Sequence, residues 1–411
     1  MSAKRHCDRW RRRCCHWNNS FRLSRLRYPQ LFFAVVLFST VTMLYFSVVW
    51  TQYSPKRVVL TSSHHINNTG VNAPSQTTAA ASSSLISSGL SSLSRSNTSS
   101  FRSNSSATAS SNTSSPQTLG VDKYVSCDYH IADGRGLGNQ MFDLAAVVYV
   151  AQLTGRQPSL LIYTRKLMLD EVFELGVKRF INLCPCYVFG ERRSLMYDRR
   201  LEELANGSRA KETRGKSILL YGFFQSWKYT LNVEHRLRQH FTFLPEIRQF
   251  VDKFLNESKP PGWAAGFVRV GIHVRRGDVL NADKMKYGYT TPDDKYFAHA
   301  MLYFVDQFDY IQFIVASNDI GWCRQHFAEF ATALRHRVNV TYLSSHSRGQ
   351  DLAVLASCEH TIMSTGTFGW WAAWLARGIT IYYNDWPRKG SSLDKIFRRE
   401  DFFPPNWIGM T

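Results

Sequence analysis

The stretch FVRVGIHVRRGD, residues 267–278, decides the fold, because it is typical of a buried strand that ends in charged residues. Apolar side chains occupy alternate positions of this stretch, as one face of a strand requires: Val268, Val270, Ile272 and Val274. The other face carries His273 and Arg275 near the carboxyl end, which borders the ligand crevice in open α/β sheets. Arg275 and Arg276 therefore predict an anionic ligand, since guanidinium groups bind phosphate oxygens bidentately.

Two local alternatives compete with this interpretation. Arg276 could pair with Asp278 while His273 serves as a satisfied core histidine. Residues 276–278 also spell Arg-Gly-Asp, the tripeptide that cell-adhesion receptors bind. The adhesion reading is the weaker one, because the tripeptide ends an apolar strand instead of lying within an exposed loop.

Two later stretches favour the anion site. FIVASNDIGWC, residues 313–323, predicts a second buried strand that ends in a polar turn at Ser317 and Asn318. HTIMSTGTFGWWAAWLARG, residues 360–378, predicts a third strand followed by an aromatic helix. Hydroxyl and backbone N–H groups would gather at the start of that helix, a ready anion site, from Ser364, Thr365, Gly366, Thr367 and Phe368. The tryptophans at positions 370, 371 and 374 are expected to pack in the core.

A glycine-rich turn precedes the first helix of the globular part. Gly134, Gly136 and Gly138 do not fit the GxGxxG fingerprint, because Asn139 occupies the third glycine position. The turn predicts either ligand contact by Gly138 and Asn139 or a simple tight connection. The next segment, from Met141 to Leu153, is apolar nearly all round and predicts a buried helix. Alternation of such strands and helices predicts α/β domains with parallel sheets.

The chain before this region predicts a membrane-anchored protein. Residues 1–30 form a basic tail with nine Lys and Arg side chains against Asp8, about +8 of the total net charge of +19. Residues 31–50 contain no charged side chain and are long enough to span a bilayer as a signal anchor. Because the basic side stays in the cytosol, a type II orientation follows. Much of the basicity thus lies in the tail, and nucleic-acid binding ranks last because this orientation puts the globular part in the lumen.

Residues 51–120 are rich in Ser, Thr and Asn and predict a flexible lumenal stem. Glycosylation sequons in the stem and beyond it fit lumenal exposure and begin at Asn67, Asn97, Asn104, Asn112, Asn206, Asn256 and Asn339. Five cysteines follow the anchor, and their pairing stays open. The sequence shows no His and Cys spacing typical of a metal site, so no metal is expected.

From Cys127 to the end, the chain resembles the galactoside α-1,2-fucosyltransferases of the secretory pathway. The motifs are GRGLGNQMF, YGFFQSWKY, HVRRGD, ASNDIGWC, CEHTIMSTGTFGWWAAWLARG and DKIFRREDFFPPNWIG. HxRRxD is shared with α-1,6- and protein O-fucosyltransferases, whereas MSTGTFGWWAAWL and GFFQSWKY narrow the match to the α-1,2 branch. The resemblance implies a GT-B architecture of two Rossmann-like domains facing a cleft. These would be an acceptor-side domain at 121–262 and a GDP-fucose-binding domain at 263–411.

The resemblance also implies roles for single residues. Arg275 would contact the diphosphate and stabilise the departing GDP, with His273, Arg276 and Asp278 shaping the motif. Residues 364–367 would flank the phosphates or guanosine, and Gly138 and Asn139 would reach in from the other half. An apolar platform for the acceptor sugar is expected from the stretch 221–229, chiefly Tyr221, Phe224 and Trp227, although core packing explains several of these residues equally well.

The implied reaction moves L-fucose from GDP-fucose to the 2-hydroxyl of a terminal β-galactoside, with inversion and no metal or other cofactor, in the Golgi. The catalytic base stays unassigned among Asp278, Asp283, Asp293 and Asp294, and Asp278 is better suited to hold an arginine. A fucosyl transfer of other linkage and an inactive glycan-binding relative remain alternatives. Differences from the vertebrate branch at 279–296 and in the double tryptophan leave the acceptor open, and dimerisation is undecided.

Overall fold

The computed structural model describes residues 123–128, 135–161, 167–263, 266–344 and 346–411. Within these residues, all the described strands fall into two sheets that belong to one compact unit. Every pairing in both sheets is parallel. The predicted α/β fold with parallel sheets is therefore confirmed. The predicted boundary between residues 262 and 263 falls between the last strand of one sheet and the first strand of the other.

The first sheet has the strand order β3-β2-β1-β5-β4. Its strands are β1 Tyr124–Cys127, β2 Gln157–Leu161, β3 Lys178–Phe180, β4 Cys186–Gly190 and β5 Ser217–Tyr221. The chain runs outward from β1 through β2 to β3 and then returns to the opposite side of β1. The strand order therefore reverses between β1 and β5, and the loops that follow these two strands border a crevice.

The second sheet has the order β11-β10-β9-β6-β7-β8, again reversing once, between β6 and β9. Its strands are β6 Val268–Val274, β7 Ile311–Ser317, β8 Val338–Tyr342, β9 His360–Met363, β10 Thr380–Tyr383 and β11 Ile408–Met410. This order is that of the dinucleotide-binding α/β fold, in which ligands bind outside the carboxyl ends of the strands at the reversal. The stretch FVRVGIHVRRGD contains β6, so Arg275 follows directly after the strand at the reversal.

Helices cover both sheets. In chain order they are α1 Leu137–Thr154, α2 Glu203–Asn206, α3 Ala210–Thr213, α4 Glu234–His240, α5 Pro245–Glu257, α6 Ala282–Tyr287, α7 Asp294–Val305, α8 Ile320–Ala333, α9 Arg348–Ala356, α10 Thr367–Ala376 and α11 Arg399–Phe402. Short 3₁₀ turns follow several strands and helices, at Met168–Glu171, Arg199–Leu201, Trp227–Thr230, Gly277–Leu280 and Asp394–Ile396.

The predicted buried helix is α1, which is apolar all round because both halves of the molecule cover it. One side of α1 packs on β1 and β2, and another packs on α10 of the second half. Phe142 of α1 lies against Trp370 and Trp371 of α10, with ring centroids 4.6 and 4.9 Å apart. Both tryptophans are completely buried, which confirms their predicted core role. One face of each sheet thus contributes to a shared hydrophobic core, while the other face of the second sheet packs in a core of its own.

The predicted tail, anchor and stem, residues 1–120, lie outside the described residues, as do the stem sequons. Among the helices described here, none has the length and apolar character needed to cross a membrane. Asn206 and Asn256 are exposed, whereas Asn339 lies half-buried in β8 and its side-chain oxygen accepts a hydrogen bond from Thr341. The glycosylation sites stay predictions. Cys127, Cys323 and Cys358 are buried thiols.

The close approach of α1 and α10 at Gly138 gives a test of this packing. A Cβ atom at position 138 would lie 2.6 Å from the backbone carbonyl carbon of Thr367, whereas a Cβ at Gly136 would meet nothing within 4 Å. Gly138→Ala should therefore lower the free energy of unfolding by about 1–3 kcal/mol or more, despite the better helix propensity of alanine. Gly136→Ala, the matched control, should stay within about 0.5 kcal/mol of the parent. Equal urea midpoints for the two variants would contradict the proposed packing.

Candidate active site

A cleft of about 870 Å³ opens at the carboxyl ends of the strands in both sheets. The first half contributes the start of α1 and the loops after β4 and β5, and the second half contributes the ends of β6 and β7, the start of α10 and later loops. Its lining includes Gly136, Gly138, Asn139, Ser194, Leu195, Phe223, Gln225, His273, Arg275, Asp278, Lys284, Tyr287, Tyr289, Ser317, Asn318, His346, Arg348, Asp351, Gly366, Thr367, Phe368, Trp386 and Phe402. The structure thus brings together most of the predicted donor-site residues.

Arg275 lies in this cleft with its guanidinium group held in a fixed orientation. Its Nε and Nη2 atoms donate to the two carboxylate oxygens of Asp278, at 3.1 and 2.7 Å. Lys284 also contacts Asp278. The hydrogen bond from Arg275 and the nearby ammonium hold the pKa of Asp278 well below its usual range. Asp278 therefore orients Arg275 and is unsuited to accept a proton.

The remaining nitrogen of Arg275 faces the start of α10. Gly366 has a φ of +95°, and a Cβ there would lie 2.8 Å from Nη1 of Arg275. Just before it, the hydroxyl of Ser364 accepts a hydrogen bond from the backbone N–H of Arg275 at 2.8 Å. No side chain caps the N-terminus of α10, so its first N–H groups are open to an anion. Thr365 is buried, and its hydroxyl has no hydrogen-bond partner among the described residues.

The N-terminus of α1 meets that of α10 across the cleft. The side-chain oxygen of Asn139 accepts hydrogen bonds from Gln225 at 2.9 Å and from the hydroxyl of Thr367 at 2.8 Å. Asn139 therefore links the loop after β5 to α10, and Gly138 permits the close approach. Like α10, α1 begins at a glycine N-cap, Gly136, which has no side chain to cap the helix. Two helix N-termini and Arg275 form a site suited to a diphosphate.

His273 lies beneath Phe368, with ring centroids 5.4 Å apart. Burial, together with the charge of Arg275, lowers the pKa of His273 to about 3, so the imidazole is neutral. Its Nδ1 atom is buried without a partner among the described residues. A Cβ at Gly369 would lie 2.4 Å from this atom, which explains the glycine on the first turn of α10.

The residues at or just after the ends of β6 and β7 divide into two groups. Ser317 and Asn318 line the cleft. Arg276 was predicted to contact the donor, but its side chain does not line the cleft; its guanidinium carbon lies 4.0 Å from the ring centre of Trp322. It also approaches Asp319 at 3.7 Å. The prediction for Arg276 is corrected: it braces the loop after β6 against α8, because Arg276 lies beyond the end of β6 and its backbone, with φ −126° and ψ −78°, has left the strand conformation.

The predicted acceptor platform also needs correction. Phe224 is completely buried in the core, and the indole N–H of Trp227 donates to the backbone oxygen of Glu400. Neither of these residues lines the cleft, and Tyr221 is half-buried before the turn. Instead, Phe223 and Gln225 present their side chains to it. The alternative of core packing, which the sequence left open for this stretch, is the better account of Phe224.

A residue with left-handed backbone conformation explains why Phe223, and not Phe224, faces the cleft. Phe224 has a φ of +49°, so the strand alternation of β5 does not continue through the turn. Glu191 stabilises the turn, because its Oε2 atom accepts hydrogen bonds from the N–H groups of Phe223 and Phe224 at 2.8 and 3.0 Å. Burial raises the pKa of Glu191 to about 8. Phe223 belongs to the stretch that the sequence proposed as an acceptor platform, whereas residue 191 was not identified from the sequence, because a turn that depends on the sign of one φ angle is not visible in it.

Arg135 supports the same turn from below. Its Nη1 atom donates to the backbone oxygen of Gly222 and to Asp143, both at 2.7 Å, and its guanidinium carbon lies 4.1 Å from the ring centre of Phe223. Burial raises the pKa of Asp143 to about 7, although Arg135 acts against this shift. The Phe223 ring, which lines the cleft, thus packs on the buried polar network of Arg135 and Asp143.

His346, Arg348 and Asp351 form the end of the cleft beyond β8, a group that the sequence analysis did not identify. Nδ1 of His346 and Oδ1 of Asp351 are 3.9 Å apart, too far for a hydrogen bond. Both atoms are buried without a hydrogen-bond partner in the described part of the chain. Burial raises the pKa of Asp351. These unsatisfied groups are suited to a polar ligand group with N–H donors.

Comparison with known proteins agrees with this geometry. Residues 117–411 match the family model of Glycosyl transferase family 11. Galactoside alpha-(1,2)-fucosyltransferase 1 of Bos taurus is 33% identical over 279 residues, which cover 66% of this chain and 73% of that protein. The Homo sapiens protein of the same name is 29% identical over 306 residues, 71% of this chain and 80% of the relative.

Among solved structures, the fucosyltransferase NodZ from Bradyrhizobium aligns with a TM-score of 0.40 at 16% identity, over 61% of this chain and 93% of its own. POFUT1 in complex with GDP-fucose aligns with a TM-score of 0.41 at 12% identity, over 61% of this chain and 93% of its own.

The raised pKa of Glu191 predicts a pH dependence of stability. The folded state holds this proton more tightly than the unfolded state, so its contribution is present below pH 4.5 and is lost as the pH rises through about 8. Glu191→Gln keeps an oxygen for the two N–H groups but does not titrate. Between pH 5 and 8, the free energy of unfolding should fall less steeply in Glu191→Gln than in the parent, by at most about 1.4 kcal/mol per pH unit.

Urea titrations at pH 5, 6.5 and 8 measure this difference. Glu257→Gln, at an exposed position on α5, is the control and should follow the parent curve. Parallel curves for the parent and Glu191→Gln would show that the buried carboxyl group does not titrate in this range.

Proposed function

The chain belongs to glycosyl transferase family 11, and from this membership and the geometry of the cleft we propose that it transfers L-fucose from GDP-fucose to the 2-hydroxyl of a terminal β-galactoside. The proposal rests mainly on the position of Arg275. Its Nη1 atom faces the N-terminus of α10, whose N-cap is Gly366, beside the point where the strand order of the second sheet reverses. The names of the similar Bos taurus and Homo sapiens proteins support the donor sugar, the linkage and the galactoside acceptor. The two parallel sheets that flank the cleft are consistent with a GT-B architecture.

The diphosphate of the donor would bind between Arg275 and the N-terminus of α10. Fucosyl transfer breaks the bond between the sugar and the diphosphate, so negative charge accumulates on the departing GDP. Arg275, Lys284 and the N–H groups of Gly366 and Thr367 are arranged to stabilise that charge in the transition state. This arrangement supports transfer without a metal ion, and the reaction is proposed to proceed with inversion through an oxocarbenium-like centre.

The nucleoside would extend over β7 and β8. In sheets of this order the base lies on the side of the strands that follow the first strand, here toward Ser317 and Asn318 and then toward Asp351. Guanine offers two adjacent N–H donors, and a carboxylate accepts such a pair. The unsatisfied Oδ1 atom of Asp351 supports this position for the base.

The acceptor sugar would enter from the first half of the cleft. Phe223 offers an apolar face for a sugar ring, and Gln225 offers an amide that already contacts Asn139. The 2-hydroxyl group would then approach the fucose on the side opposite to the diphosphate, as inversion requires. Membrane anchoring by residues 31–50, a lumenal orientation and residence in the Golgi complete the proposal and rest on the sequence alone.

The primary test uses the secreted soluble domain, residues 120–411, with labelled GDP-fucose, a panel of glycan acceptors and EDTA. The parent should label the 2-hydroxyl of a terminal β-galactoside in the presence of EDTA. Arg275→Ala should reduce kcat by about 10²–10³-fold, because it removes a charged donor to the leaving group. Arg275→Lys is the matched control: it keeps the charge without the bidentate geometry and should retain an intermediate activity.

A folded domain that labels none of the acceptors and releases no GDP would exclude the enzymatic proposal. Label recovered on an N-glycan core or on a protein hydroxyl would instead establish a fucosyltransferase of other linkage.

Asp351 provides a test of the donor orientation. Asp351→Asn replaces one carboxylate oxygen by an amide nitrogen. It should raise the KM for GDP-fucose about tenfold with little change in kcat, because it weakens donor binding equally in the ground state and in the transition state. The KM for the acceptor should not change. Asp319→Asn, beside the cleft but outside its lining, is the control. An unchanged KM for the donor in Asp351→Asn would place the base elsewhere.

A further inference from the structure

A second, smaller hollow lies behind the wall of the cleft on its acceptor side. It has a volume of about 220 Å³ and is called the arginine hollow here; its lining is Arg192, Tyr197, Asp198, Arg199, Arg200, Lys228, Arg398 and Asp401. Five of these side chains are cations and two are carboxylates, which leaves an excess of three positive charges. Such a concentration of like charge within one hollow favours a bound anion.

The two carboxylates are already occupied. Asp198 is paired with Arg200, and Asp401 is paired with Lys228. Arg398 approaches Asp401 at 3.7 Å and also Glu400 at 3.4 Å. By contrast, among the residues that the structure describes, none offers a carboxylate to Arg192 or Arg199 within 4 Å. Within the described part of the chain, these two arginines are therefore the cations of the hollow without a carboxylate partner.

The walls of the arginine hollow are fixed by buried hydrogen bonds. Asp401 is almost completely buried and accepts from the backbone N–H of Tyr197 at 3.1 Å. The backbone N–H of Asp198 donates to the hydroxyl of Tyr229 at 2.9 Å, and the hydroxyl of Ser226 donates to the backbone oxygen of Asp401 at 2.6 Å. Three separate segments of chain are thus tied together around the hollow, and the exposed side chains of Arg192 and Arg199 lie beside this fixed backbone.

The hollow and the cleft share a wall. Ser194 and Leu195 line the cleft, while Tyr197, two residues further on, lines the hollow. In the same way Phe402 lines the cleft and Asp401 lines the hollow. A ligand of several sugar units whose terminal residue occupies the acceptor side of the cleft could therefore reach both sites.

We propose that the arginine hollow binds an acidic substituent, a carboxylate or a sulfate ester, carried by the acceptor glycan. The ligand class rests on the proposed function, since a glycan acceptor is assumed, while the anion preference rests on the charges of the hollow alone. The guanidinium forks of Arg192 and Arg199 suit the oxygen atoms of either group. The site therefore selects among acceptors that have the same terminal galactose.

The experiment compares three acceptors with the same terminal β-galactoside: a neutral oligosaccharide, one with a sulfate ester on an inner sugar and one with a sialic acid carboxylate on a branch. For the parent, the KM of at least one acidic acceptor should be about tenfold below that of the neutral one at low ionic strength. The difference should shrink in 0.5 M NaCl, because salt screens exposed charges.

The variant Arg192→Ala/Arg199→Ala should lose this preference and keep the parent kcat/KM for the neutral acceptor, since neither residue lines the cleft. Arg335→Ala, at an exposed arginine just after α8, is the matched control and should retain the preference. Thermal unfolding verifies that the double variant is folded. Equal KM values for neutral and acidic acceptors in the parent would overturn the proposal.

Turnover of the neutral acceptor tests the proposed function separately. If that reaction fails, calorimetric titration of the sulfated and sialylated glycans still tests the hollow: binding that depends on Arg192 and Arg199 supports it. Inorganic sulfate is the competitor. If it binds to the hollow as tightly as the acidic glycans, the site recognises free anions and the link to the acceptor is wrong.

Discussion

The structure depends on the contact between the N-termini of α1 and α10 at Gly138. The two helices belong to different sheets, and a side chain at this position would push their backbones apart. Asn139 completes the contact by accepting hydrogen bonds from both Gln225 and Thr367. Because each helix begins at the carboxyl edge of its own sheet, fixing this one point also fixes the width of the cleft. The remaining residues of the site take their positions from it.

This contact has an electrostatic cost that a ligand would remove. Each helix N-terminus carries roughly half a positive charge, and here two uncapped N-termini face each other beside Arg275 and Lys284. Burial of Phe142 against Trp370 and Trp371 holds the helices together in spite of this repulsion. Asp278 offsets part of the positive charge by binding Arg275 and Lys284. A diphosphate would neutralise the rest, so donor binding should also stabilise the fold.

Sequence patterns predicted the elements of the site better than its exact lining. Strand periodicity identified β6 and the direction of His273 and Arg275, because alternation is maintained to the end of a buried strand. The same rule does not hold past the strand end, so it did not separate Arg276, which packs on Trp322, from Arg275. Within the predicted acceptor platform, the left-handed backbone at Phe224 turns Phe223 toward the cleft and leaves Phe224 in the core.

Contacts that depend on tertiary structure were not visible in the sequence at all. Asp351 follows a strand without a distinctive motif, and its importance appears only when the order of the sheet places it beside Ser317 and Asn318. The arginine hollow likewise combines residues from positions 192–200, 228 and 398–401, which are far apart along the chain. Motif spacing detects a site within one strand and loop, whereas sites assembled from several loops require the fold.

The arrangement of titratable groups indicates how the site would promote transfer. Asp278 is held in its charged form by Arg275 and Lys284, and a carboxylate with so low a pKa is a weak base. His273 is neutral, but with a pKa near 3 it too would accept a proton only weakly. Both groups nearest to Arg275 are therefore poor proton acceptors. The geometry favours a mechanism in which bond breaking to the diphosphate leads, because Arg275 and the start of α10 stabilise the leaving group. The new bond from the acceptor oxygen would then form before the hydroxyl loses its proton, and solvent water would take up that proton late, when the hydroxyl has become acidic.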